Sequence, residues 1–152
     1  MAAAGTPYNL WRKSVLDGSA HNVSDTFKML LLSSAYSPNY DTHQYLSDVV
    51  ANELATANGY TAGGVTLASP TWTLVGSGSS GKYVFKTASA AWTASGGSIT
   101  ARWAVIAKWT GANNTSPLVC LVLLDTTPAD VTQTAPGTMT IACDATNGWF
   151  YD

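Results

Sequence analysis

The imidazole closest in sequence to a carboxylate is that of His43, which lies between Asp41 and Asp48. Acid–base or nucleophilic chemistry needs a base held beside an oriented acid or a nucleophile. The spacing argues against it here. On a helix Asp41 and Asp48 stand almost two turns apart, so Asp41 reads as a helix cap and Asp48 as a solvated residue. The sequence has no Gly-x-Ser-x-Gly elbow to supply a strained, exposed serine.

The other reactive groups are sparse. Glycoside hydrolysis needs two carboxylates across a cleft, yet Glu53 is the sole glutamate, and Asp17, Asp125, Asp130, Asp144 and Asp152 fall in turn-like or terminal contexts. A calcium loop needs a denser run of acidic residues and asparagines. Cys120 and Cys143 sit in strand-like apolar runs and read as small buried hydrophobes. Whether they pair is open from sequence alone. Zinc would need two further ligands, and His21 and His43 lie far off without ligand spacing. Neither a catalytic residue nor a metal or cofactor site is expected, and the chain is not read as an enzyme.

Of the six tryptophans, Trp72, Trp92, Trp103 and Trp109 lie in strand-like segments and read first as core. A sugar-stacking role would ask for a polar or acidic companion. Trp92 is flanked by Ala90, Ala91, Thr93 and Ala94 and has none.

The elements that must hold these residues are mostly strands. Residues 1–24 read as a distinct N-terminal arm or docking segment, interrupted by Pro7, Gly18 and Ser19, with a short helix over Leu10–Leu16 or an extended arm equally open. Trp11 is costly to leave in water, so the arm is expected to dock on its own domain or on a neighbour. Tyr8, Trp11, Arg12 and Lys13 are its candidate protein-interface residues. Phe27, Met29 and Leu31 alternate with Thr26, Lys28 and Leu30, predicting a strand with one face inward. Asp41 with Gln44 resembles a capping box and predicts helical turns over about Thr42–Ala51. Short strands are expected at Val65–Leu67 and Thr71–Val75. Gly76–Gly81 reads as a hairpin loop leading into Tyr83-Val84-Phe85, since it lacks the Lys-Ser/Thr and helix of a phosphate cradle.

Ile99–Trp109 reads as one long strand, and Leu118–Leu124, apolar throughout, as a central strand covered on both sides. Thr138–Cys143 alternates again. Asn147-Gly148 is a hairpin signal, with Trp149-Phe150-Tyr151 expected to pair back. The pattern predicts a mainly β, antiparallel β-sandwich or jelly-roll-like single domain over residues 25–152, with one short helix and the N-terminal arm.

Composition narrows the function. Lys+Arg number 7 and Asp+Glu 9 among 152 residues, 11% charged against roughly 25% in an ordinary soluble domain. No charge occurs from Leu54 to Gly81. Net charge is −2 with no basic run beyond Arg12-Lys13, so no nucleic-acid partner is expected. The longest apolar run, Leu118–Leu124, is far short of a bilayer span, so no membrane partner is expected either. Met1–Gly5 has neither the basic start nor the apolar core of a signal peptide, so synthesis and first folding are expected in the cytoplasm. A neutral exterior of Thr, Ser, Ala, Gly and Asn dehydrates easily and suits contact with other protein.

Seven stretches do more than pattern: Phe27-Lys28-Met29-Leu30-Leu31; Tyr36-Ser37-Pro38; Asp41-Thr42-His43-Gln44-Tyr45-Leu46-Ser47-Asp48-Val49; Asn52-Glu53-Leu54; Gly59-Tyr60-Thr61-Ala62-Gly63-Gly64-Val65-Thr66-Leu67; Thr100-Ala101-Arg102-Trp103-Ala104-Val105-Ile106; and Ser116-Pro117-Leu118. Across roughly residues 25–145 this series resembles a family of small virion structural proteins of tailed bacteriophages and prophages. The stretch beginning at Gly59 is the most specific.

The resemblance implies a non-enzymatic capsid decoration (cement) protein on the outer surface of the head. Its partner would be the major capsid protein, and its own state a homotrimer or other homo-oligomer. Its place would be the virion, assembled in the host cytoplasm. A tail-tip or head-fibre receptor- or glycan-binding module, and a neck or tail-completion protein, are the alternatives.

Overall fold

The computed structural model describes residues 2–17, 24–127 and 129–151. Two short strands, β1 (Ala2–Ala3) and β2 (Thr6–Pro7), precede the one α-helix among the described residues, α1 (Asn9–Leu16). Then follow β3 (Phe27–Leu32), two single 3-10 turns (Leu46–Asp48 and Val50–Asn52), β4 (Val65–Leu67), β5 (Thr71–Val75) and β6 (Lys82–Lys86). The remaining strands are β7 (Ala90–Thr93), β8 (Ser98–Ala101), β9 (Trp103–Lys108), β10 (Leu118–Leu123), β11 (Val131–Thr134), β12 (Thr138–Cys143) and β13 (Phe150–Tyr151). The protein is a mainly β, sandwich-like single domain.

Its centre is a five-stranded antiparallel sheet in the order β2-β10-β9-β3-β4. Both faces of this sheet are covered. On one face Phe27 meets Phe85 of β6, with ring centroids 4.8 Å apart. On the other, Trp103 makes an edge contact with Tyr36 at 6.4 Å. Consequently Met29, Leu30, Leu31 and Leu32 are all buried, and β3 is not the one-sided strand its alternation predicts. Ala104–Ala107 and Leu118–Val122 are likewise buried. The two-sided reading of β10 therefore holds, although β9 is the middle strand and β10 its neighbour.

Three smaller sheets close the core: β1-β12-β7, β11-β8 and β13-β6-β5. All described pairings are antiparallel except β1 with β12. The predicted single strand over Ile99–Trp109 is in fact two. β8 pairs with β11, whereas β9 pairs with β10 and β3. At the crossing, Arg102 N–H donates to the Leu32 carbonyl at 3.0 Å, and the Arg102 carbonyl accepts from Leu124 N–H at 3.1 Å. A strand that changes sheets at a bend is a usual way to turn a sandwich corner. Asn147-Gly148 also turns the chain, with Gly148 at φ 63°. The strand after it, however, pairs with β6 and not back on β12.

The region predicted as helix at Thr42–Ala51 forms only the two 3-10 turns. Asp48, not Asp41, caps the first of them, accepting from the backbone N–H of Gln44 at 2.8 Å and of Tyr45 at 2.9 Å.

Candidate functional site

The N-terminal segment is stitched into the sandwich. β1 pairs with β12 (Ala2 opposite Ala142) and β2 with β10 (Pro7 opposite Cys120). Tyr8 N–H donates to the Val119 carbonyl at 3.1 Å. Of the four residues expected at an interface, Tyr8 and Trp11 are 0% and 2% exposed. They fill the chain's own core because large aromatic surfaces gain most from leaving water, so neither can anchor on a neighbour. Arg12 and Lys13 are exposed on α1, and Lys13 pairs with Asp17 one turn on at 2.8 Å. The expected boundary between arm and sandwich, at residue 24, adjoins residues 18–23, which lie outside the described residues.

His43 joins a chain of hydrogen bonds that spacing alone does not announce. Tyr8 and Tyr36 hydroxyls are 2.8 Å apart in the interior, and the Tyr36 hydroxyl lies 2.8 Å from His43 Nδ1. Burial pushes the pKa of both tyrosines upward, so they stay neutral hydroxyls. The carboxylates near His43 in sequence are employed elsewhere: Asp48 caps the 3-10 turn, and Asp41 accepts from the Asn9 side-chain amide. The cluster fastens α1 and residues 36–43 to each other and presents no oriented acid beside the imidazole.

Glu53 is similarly structural. Its Oε1 accepts from the Tyr60 hydroxyl and from Gly63 N–H, both at 2.6 Å, while Leu31 N–H donates to the Tyr60 oxygen at 3.1 Å. Burial, with the Glu53 carboxylate beside it, raises the Tyr60 pKa. Gly64, at φ 65°, lies against the Met29 carbonyl where a side chain has no room. Residues 59–67 are therefore a packing motif that seats β4 on β3.

Cys120 is buried and Cys143 half-buried, both as free thiols. Burial raises both thiol pKa values, which makes them poor nucleophiles. Among the described residues no three His, Cys, Asp or Glu side chains gather as a metal site. No helix there is long and apolar enough to cross a membrane. Trp92 and Trp149 are core residues, whereas Trp72, Trp103 and Trp109 are half-buried, with the Lys28 ammonium 4.1 Å from the Trp109 ring centre.

Two surface features remain as candidates for function. The first is a cleft of about 270 Å³ between α1 and the Thr110–Pro117 loop, lined by Trp11, Ser14, Gln44, Tyr45, Lys108 and Thr115 among others. The second is the β5–β6 hairpin, whose strand β5 ends its sheet. Thr71, Thr73, Leu74, Tyr83 and every residue of the 76–81 loop are exposed. Leu74 and Tyr83 are apolar residues at 53% and 55% exposure. Sequence reasoning placed the hairpin correctly but not its exposed apolar face, which depends on where the sandwich ends beneath it. Compared with known proteins, the chain matches no family model, no curated protein and no solved structure.

Proposed function

We propose that the chain is a non-enzymatic structural protein of a tailed-phage virion: a capsid decoration protein that binds the outer surface of the major capsid protein shell and stabilises the head. The carrying observation is the exterior. With 11% charged residues, and a hairpin that exposes Leu74 and Tyr83 and carries no charge on β5 or its loop, little ionic hydration is lost when copies or neighbours pack against it. Shell proteins multiply such contacts by symmetry. The resemblance across residues 25–145 supplies the particle, and a homotrimer or other homo-oligomer is the state this role calls for. No cofactor, nucleic acid or membrane enters the reading.

Copy number and position in purified particles test it. Hundreds of copies on the head support decoration, a ring-like number moves the protein to the neck, and absence from particles overturns the proposal. Charge reversal of the exposed pair (Arg12→Glu with Lys13→Glu) is expected to lower head occupancy while leaving the fold intact.

One observation favours a second reading, a saccharide-binding module of a tail tip or head fibre. The cleft beside α1 sets the half-buried Tyr45 ring beside hydroxyl and amide groups (Ser14, Thr115, Gln44), the chemistry that holds sugar rings. Glycan-array binding abolished by Tyr45→Ala, with the protein found on tails, would replace the head assignment by this one.

A further inference from the structure

The strand β5 ends its sheet. Strand edges exposed to solvent normally carry a charge, a proline or a bulge that rejects other strands. Thr71–Val75 has none of these within it, and it lies inside the charge-free stretch Leu54–Gly81. The two lysines of the hairpin lie on β6, and both are engaged toward the β13 side. Lys82 sits 3.5 Å from the Tyr151 ring centre and donates to Asn147, and Lys86 donates to the Ala145 carbonyl. Neither guards β5. Among the described residues β5 pairs only with β6.

The register specifies the occupant. Trp72 stands opposite Phe85 and Leu74 opposite Tyr83, all on one face, since directly opposed residues share a face. That face is covered at the Trp72–Phe85–Phe150 end, where rings stack at 5.0–5.8 Å. It is bare at Leu74 and Tyr83.

We propose that two copies of this chain join β5 to β5 in antiparallel register about a two-fold axis through Thr73. Trp72 then lies opposite Leu74 of the second copy, and Leu74 opposite the second copy's Trp72. Two continuous rows cross the resulting sheet, each of the form Tyr83–Leu74–Trp72–Phe85 with the last two from the other molecule. The residues left bare in one copy fall beside the aromatic pair of the other. On the opposite face Thr73 meets Thr73 and Thr71 meets Val75, with no like charges apposed. A second copy of this chain offers that pattern in that register, and the pairing is isologous and closed. It holds whether or not the protein belongs to a virion.

Sedimentation of the full chain over a concentration series up to about 0.5 mM tests the pairing; five residues per edge bury less than the ~1,200 Å² of a stable interface, so a weak dimer is expected. The mass should rise from 15.9 kDa toward twice that value. Thr73→Lys, at an exposed site, brings two ammonium groups together at the axis and should weaken the dimer at least tenfold. Mixing Thr73→Lys with Thr73→Glu should restore it. Leu74→Ser should weaken it less, and circular dichroism verifies that each variant is folded. A chain that stays monomeric throughout overturns the proposal. So does an oligomer indifferent to Thr73→Lys, or one rescued by no charge pair.

Discussion

The five-stranded sheet and the β5–β6 hairpin are built from the same neutral residues but obey opposite rules. In the first, β9 and β10 are buried on both faces and each lies between two neighbouring strands. In the second, one strand has a single partner, and two large apolar side chains face solvent. Lack of charge is therefore not one property with one meaning. Where side chains are enclosed it marks a core, and at an open edge it marks a surface that has kept no defence against another strand.

Several substitutions would sharpen or break this contrast. The largest effect is expected in the N-terminal segment that closes the central sheet. Removing residues 1–24 takes Tyr8 and Trp11 from the core; Trp11→Ala alone should cost about 3–5 kcal/mol in denaturant unfolding. A truncated chain as stable as the full one would detach that segment from the core. Within the sheet, Ile106→Ala should cost about 2–5 kcal/mol, against less than about 0.5 kcal/mol for Leu74→Ala in dilute monomer. Equal costs would erase the distinction between the two regions.

Tyr60→Phe leaves the half-buried Glu53 without its hydroxyl donor and Leu31 N–H without its acceptor, and should cost about 1–3 kcal/mol by thermal or chemical melt. Hydrogen exchange should separate the regions again: amides of β9 and β10 exchange only on global opening, those of β5 by local fluctuation.

The smallest effect is electrostatic. Asp144 accepts from Asn147 N–H at 2.6 Å and Thr146 N–H at 3.0 Å, bonds that hold its pKa below the ordinary carboxylate range. A depressed folded pKa stabilises above the unfolded value and loses that stabilisation as pH falls through the folded one. The melting difference between wild type and Asp144→Asn should therefore be present near neutrality and fade below about pH 4.

The local elements were readable where periodicity and turn chemistry agree. Val65–Leu67, Thr71–Val75 and the Gly76–Gly81 loop sit where alternation and glycines predict them, and of the two readings open for residues 10–16 the helix is the one that forms. What was not readable depends on distant partners. Nothing in Thr100-Ala101-Arg102-Trp103 marks the change of sheet, because it is set by Leu32 and Leu124 through backbone groups every residue possesses. Asn147-Gly148 signals a turn but not the strand that receives it. The Tyr8–Tyr36–His43 chain joins residues 28 and 7 positions apart, with no motif to announce it. The role of Tyr8 and Trp11 turned on whether the chain had a vacancy for them. It does, and their expected place at an interface is lost for that reason.

The clasp between the two ends of the chain has a kinetic consequence. Ala2 pairs with Ala142, and Gly5 N–H donates to the Trp149 carbonyl, so residues 2–5 are made well before the partners they need. During synthesis at roughly 5–20 residues per second, Trp11 must wait many seconds, solvated or chaperoned, for the 118–149 region to emerge. Contacts of such long sequence separation slow folding. A ribosome stalled at residue 140 would therefore hold a chain whose greasy beginning is still open to protease, while one released past residue 149 would not.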